Sequence, residues 1–167
     1  MDEFQSELVA LLPRLRRFAR VLVRSDADAQ DLVQETVERA LAKRRAWQPG
    51  TRLDSWSFTI MKRIFIDQTR SKGRWNRVVG PADETTIHVA DPAQADEALK
   101  LDALAAREAI HGLPEDQRLA VGLVLVDGLS YAEAAEVLDV PVGTLTSRLV
   151  RGRQSLVETL NAKGVTA

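Results

Sequence analysis

Residues 113–156, LPEDQRLAVGLVLVDGLSYAEAAEVLDVPVGTLTSRLVRGRQSL, have the pattern of a helix-turn-helix. Ser130 and Glu133 have the form of a capping box, in which the hydroxyl takes an orphan amide and the acid three residues on reaches back. The helix they open carries Tyr131, Ala134, Ala135 and Leu138 at three-to-four spacing, a narrow apolar stripe with small residues for close packing. Asp139-Val140-Pro141 ends it, because the residue before a proline is pushed out of the helical region. Pro141 suits the first turn of the next helix, where its missing amide costs nothing. That next helix, over residues 142–160, buries Leu145, Leu149, Leu156 and Leu160. Thr144, Ser147, Arg148, Arg151 and Arg153 fall mostly off the buried stripe. A polar and basic helix face behind a tight turn is the physical form of a major-groove reader. Phosphate contacts supply its affinity, and arginine on guanine edges its selectivity. Arginines on a helix equally describe a solvated face; the cap, the proline-marked turn and the spacing together favour DNA.

Composition narrows the remaining classes. Of 167 residues, 45% are hydrophobic, ample for the cores of one or two small domains. There is no cysteine, which excludes disulfides, thiol catalysis and cysteine zinc sites. His88 and His111 stand far apart without ligand-like neighbours and read as ordinary surface or boundary residues. No apolar run reaches membrane-spanning length, and the acidic start MDEFQSEL is unlike a signal peptide. A cytoplasmic location is expected. Net charge is only −1, yet its distribution is uneven. Residues 1–80 carry 16 Lys and Arg against 10 Asp and Glu, residues 81–140 carry 3 against 13, and residues 141–167 carry 4 against 1. Two basic segments flank an acidic middle, so the near-neutral total hides two electrostatic footprints.

Helical periodicity dominates, with neither alternating strands nor an internal repeat. A first helix is expected over residues 2–23, with a kink or restart at Pro13. Ser25 or Asp26 caps a second, which runs to residue 45 and buries Leu32, Val33, Val37, Ala40 and Leu41. Gln48-Pro49-Gly50-Thr51 is a turn. A third helix over residues 53–71 has Trp56, Ile60, Ile64 and Phe65 as core candidates and a basic end that includes Lys62, Arg63 and Arg70. Residues 78–95 are polar, acidic and broken by Gly80-Pro81 and Asp91-Pro92, as in a flexible linker. Further helices are expected over residues 95–111 and from Pro114 to Asp127-Gly128. The fold class is therefore all-α: two small helical domains, residues 1–77 and 96–167, joined by the acidic linker 78–95.

With both helical regions laid out, the chain resembles the extracytoplasmic-function (ECF) sigma factors, the smallest bacterial initiation factors of the sigma-70 type. DADAQDLVQETVERAL (26–41) is similar to the family's signature second helix. WQPGTRLDSWSFTIMKRIFIDQTR (47–70) is similar to the segment that opens and reads the −10 promoter element. LPEDQR, GLSYAEAAEVL and PVGTLTSRLVRGR are similar to the −35-reading domain. The resemblance implies sigma regions 2 and 4 on either side of the linker. It implies that Asp31, Leu32, Gln34 and Glu35 dock on core RNA polymerase; the alternative is that Asp31 and Glu35 are surface acids gaining nothing from each other. It implies that residues 47–53 capture an extruded base, with Trp47 as the aromatic. Lys62, Arg63 and Arg70 then support −10 binding, while Trp56 and Phe58 read as core unless Phe58 lines the pocket. Lys62-Arg63 stands where many members have Asn, which leaves the −10 preference open. QPGTRLDSW is similar to the group serving the alphaproteobacterial general stress response.

The implied partners are core RNA polymerase, promoter DNA and an anti-sigma factor, with no cofactor and no catalysis. Residues 119–126 are apolar nearly all round, as in a partner site or simply a domain centre. The linker would let the two domains spread along DNA or close on each other. Two other classes stay open: an ordinary helix-turn-helix regulator, and a sigma-like decoy that binds an anti-sigma factor without touching DNA. The regulator gives no reason for the loop and basic helix of the first domain. Decoys come fused to a receiver domain, for which this chain has no room.

Overall fold

The computed structural model describes residues 1–79 and 97–164, with side chains for 1–73 and 101–164. Among the described residues seven α-helices follow one another: α1 Glu3–Leu22, α2 Asp26–Ala42, α3 Leu53–Val79, α4 Glu97–His111, α5 Glu115–Val121, α6 Tyr131–Leu138 and α7 Val142–Ala162. The expected linker lies outside the described residues, except that α3 continues to Val79. Among the described residues no helix is long and apolar enough to cross a membrane.

Local chemistry sets the helix ends. Asp2 and Gln5 form a full capping box on α1, and the Ser25 hydroxyl accepts from the Asp28 amide at the start of α2. Pro13 neither ends nor restarts α1, which runs through it unbroken. The basic tail expected to finish α2 tightens into a 3-10 turn over Arg44–Ala46. Asp139 takes the left-handed conformation, φ 54°, that turns the chain from α6 into α7. Pro141 sits one residue before α7 as its cap, and its carbonyl accepts from the Leu145 amide. The apolar run expected as one helix changes pitch after Val121. Gly122–Val126 forms a π-helical turn, with the Asp127 amide reaching back to the Gly122 carbonyl. The extra residue shifts the phase of the apolar positions. Leu119, Val121 and Leu123 stay buried, while Leu125 is 43% exposed.

In the first half, α1, α2 and α3 pack around Leu15, Phe18, Leu32, Phe58, Met61 and Ile64. In the second, α5, α6 and α7 pack around Val121, Leu123, Val137, Leu145 and Leu149, with α4 lying on α7. The two cores merge into one apolar cluster, because α1 packs against α4, α5 and the π turn while α3 packs against α6. Gly122 permits this approach: a Cβ there would lie 2.9 Å from Val21 and 3.1 Å from the Phe18 ring. Tyr131, expected on the α6 stripe, is instead 43% exposed, and Ala134, Ala135, Val137 and Leu138 face inward. His111 is not a surface histidine; its Nε2 lies 3.0 Å from the Arg20 carbonyl across the seam between the halves. Burial first, then the neighbouring Arg118 and Arg107 charges, push its pKa down to about 4, so the ring is neutral.

Candidate nucleic-acid interface

The left-handed corner at Asp139 and the cap at Pro141 aim the first turns of α7 outward. Buried Leu145 and Leu149 anchor one face. Ser147, Arg151 and Arg153 are exposed and Thr144 is half-buried. Arg148 is less free than its neighbours, because its Nε lies 3.5 Å from the Asp116 carboxylate of α5. Gly152 lets α7 lie close on α5, where a Cβ would come within 2.9 Å of Val121. Thr144, Ser147, Arg148 and Arg151 thus lie along one side of α7, while Arg153, nine residues from Thr144, lies about half a turn round the same helix.

The second basic region gathers around the loop between the 3-10 turn and α3. Trp47 is half-buried, 5.4 Å from the Phe4 ring, and Trp56 stacks edge-on to Phe4 at 6.1 Å. Phe58 is fully buried against Phe18 at 5.2 Å and lines no pocket. A cleft of about 410 Å³ opens beside Trp47, Trp56 and Thr59. Its opposite wall comes from the other half of the chain: Glu133, Glu136 and Val137 of α6. Trp47 Nε1, Ser55 Oγ and one Glu133 carboxylate oxygen are buried here without hydrogen-bond partners. Arg63 and Arg70 are exposed further along α3. Lys62 is half-buried; burial and then Arg63 push its ammonium pKa down, against an opposing pull from Asp139.

An ionic set that no local sequence pattern marks crosses this seam. Arg52 grips Asp54 with two bonds, at 2.6 and 3.1 Å, and also pairs with Glu133. Arg14 bonds Asp54 at 2.8 Å and the Asp127 carbonyl at 3.2 Å. Burial pushes the Asp54 carboxyl up, but hydrogen bonds from Arg52, Arg14 and the Ser55 amide outweigh it and hold it at about 2. Asp127 is the reverse case. Its carboxylate oxygens accept no hydrogen bond, Arg17 stands 3.6 Å away, and burial pushes its pKa up to about 6. The capping box expected at α6 is half-formed for the same reason. The Ser130 hydroxyl accepts from the Glu133 amide at 3.1 Å, but the Glu133 carboxylate reaches across to Arg52 instead of back to its cap. No signal in the sequence links residues 52 and 133; the pair exists because α6 packs on α3.

The expected polymerase-docking residues divide. Asp31 and Gln34 are exposed on α2. Glu35 is not without a basic partner, since Arg39 one turn on pairs with it at 2.6 Å and Gln68 of α3 bonds its other oxygen. Leu32 is 1% exposed and belongs to the core. It holds α2 in place and presents no surface to a partner.

Residues 103–156 match the family model "Sigma-70, region 4", and residues 8–62 match the "Sigma2 domain of PhyR". The chain is 37% identical to the ECF RNA polymerase sigma factor EcfG of Rhodopseudomonas palustris over 98% of its own length and 88% of the relative's. It is 30% identical to the RNA polymerase sigma factor CarQ of Myxococcus xanthus, over 95% of this chain and 90% of that one. Among solved structures it is similar to the sigma factor RpoE in complex with the anti-sigma factor NepR from Bartonella quintana. That match has a TM-score of 0.84 and 35% identity, over 96% of this chain and 98% of the other.

Proposed function

The chain belongs to the extracytoplasmic-function sigma factors of the sigma-70 family, and from that premise we propose how its residues divide the work of promoter recognition. It is an RNA polymerase sigma factor and not an enzyme. Residues 1–77 act as region 2 and residues 96–167 as region 4, with 78–95 between them. Thr144, Ser147, Arg148, Arg151 and Arg153 contact the −35 element. Trp47, Lys62, Arg63 and Arg70 contact the −10 element, with Trp47 stacking on an extruded base. Asp31, Gln34 and Glu35 meet core polymerase in the cytoplasm. The observation that carries this reading is the exposed basic face of α7, set behind a left-handed corner and anchored by Leu145 and Leu149. Similarity to EcfG and to the NepR-bound RpoE supports a role in a general stress response under an anti-sigma factor of the NepR kind.

The −35 assignment is tested by Arg148→Ala and Arg151→Ala in promoter binding. A lost bidentate base contact weakens binding by about 1–3 kcal/mol and relaxes preference at one position. A lost phosphate contact weakens all sequences alike and lowers the salt dependence. Unchanged binding in both variants would sink the assignment.

A further inference from the structure

We propose that the acidic edge of α6, formed by Glu133, Glu136 and Asp139, is a built-in mask that occupies the −10-binding groove of the same chain as a stand-in for the DNA strand. The inference rests on the reading of Trp47 and Lys62 as −10 contacts given above. The three acids recur every third residue, which places them along one side of the helix and its cap. Each meets the groove. Glu133 pairs with Arg52 at the loop. Glu136 walls the cleft opposite Trp47. Asp139 lies near enough to Lys62 for its charge to act on the ammonium.

Local structure suits the residue types, with Glu133 in the first turn of α6 and Asp139 at its left-handed cap, but it does not fix where the carboxylates point. Glu133 forgoes the backward cap bond that its own helix offers. Asp139 puts a negative charge at the C-terminal end of α6, where the helix dipole disfavours it. The Arg52 pair offsets the forgone cap bond of Glu133, and the Lys62 charge offsets the helix dipole at Asp139. The groove is also left unsatisfied by this occupant. Trp47 Nε1 and Ser55 Oγ are buried without partners beside the masking carboxylates. Nucleic acid offers acceptors for both, so the mask is built to be displaced. The exposed recognition face of α7 is untouched by it, so masking affects the −10 groove and leaves the −35 reader available.

The test compares three full-length proteins: wild type, the edge variant Glu133→Gln/Glu136→Gln/Asp139→Asn, and a control with the same charge change elsewhere on region 4, Asp102→Asn/Glu115→Gln/Glu158→Gln. Affinity for a fluorescent single-stranded 12-mer of mixed sequence is read by anisotropy, and shape by small-angle scattering. Circular dichroism checks helicity. The expected result is an expanded edge variant that binds the strand at least ~10-fold more tightly than wild type, a gain of about 1.4 kcal/mol, and a control within about twofold of wild type. Adding Lys62→Ala to the edge variant then removes most of the gain. Equal gains in edge and control variants, or neither expansion nor gain in the edge variant, would overturn the mask and leave the groove reading intact. Expansion without any gain in affinity would refute the groove reading, and the mask with it.

Discussion

Asp127→Asn is expected to stabilise the protein at neutral pH, although it removes a charge that faces an arginine. The Asp127 side chain has no solvent exposure, accepts no hydrogen bond, and sees Arg17 only at 3.6 Å. Burial raises its pKa from 3.8 to about 6. The folded carboxyl therefore holds its proton more tightly than the unfolded one. Its contribution favours folding at low pH and is lost as pH rises from about 4 through about 6. At about 1.4 kcal/mol per pH unit between the two values, the full effect approaches about 3 kcal/mol. Relaxation around the charged carboxylate and water reaching it past the half-exposed Arg17 soften the desolvation, which reduces the expectation to about 1–2 kcal/mol. Asparagine keeps the shape without the charge. Urea unfolding followed by circular dichroism at pH 4.5, 6.0 and 7.5 should show wild type and variant nearly equal at the lowest pH. The variant should be ahead by about 1–2 kcal/mol at the highest. A variant less stable at pH 7.5, or a difference constant across pH, would show that the buried Asp127 charge does not oppose folding.

His111 has the opposite sign: with its folded pKa lowered to about 4, it stabilises the protein above pH 6.5 and that support is lost as pH falls through 4. His111→Gln should therefore flatten the stability profile on the acid side in the same urea series. Leu145→Ala, which empties a fully buried position at the heart of region 4, is expected to cost about 2–5 kcal/mol of unfolding free energy. Trp47→Ala should impair promoter melting, read by permanganate footprinting, more than closed-complex binding, because the indole acts only once a base has left the stack. Equal melting would make Trp47 a structural residue, held by Phe4.

Helix positions were legible wherever the determinant is local. The Ser25 cap, the turn before α3, the stop at Asp139 and the leucine anchors of α7 all follow from a few consecutive residues. The basic faces were legible too, since Arg151 and Arg153 lie off the buried stripe that periodicity defines. What the sequence hid depends on contacts between its two halves. Glu133 looks like a capping acid until α6 is placed against Arg52. His111 looks like a boundary residue until its ring meets the Arg20 carbonyl. Leu32 looks like a docking residue in the family's pattern until the α1–α2–α3 core encloses it. The π turn escaped because helical periodicity assumes constant pitch, and Gly122 allows Phe18 and Val21 to press on the chain where that pitch changes.

Sigma-factor activity is read out by run-off transcription with purified core RNA polymerase and a library of genomic promoter fragments. Transcripts are expected from a discrete set of start sites that appear only when this chain is added, with shared −35 and −10 sequences upstream. Arg148→Ala/Arg151→Ala and Trp47→Ala should each reduce those transcripts, the first pair at promoter binding and the second at opening. Core polymerase that stays silent on every fragment with the chain bound, or promoter occupancy that only represses transcription, would contradict sigma-factor activity.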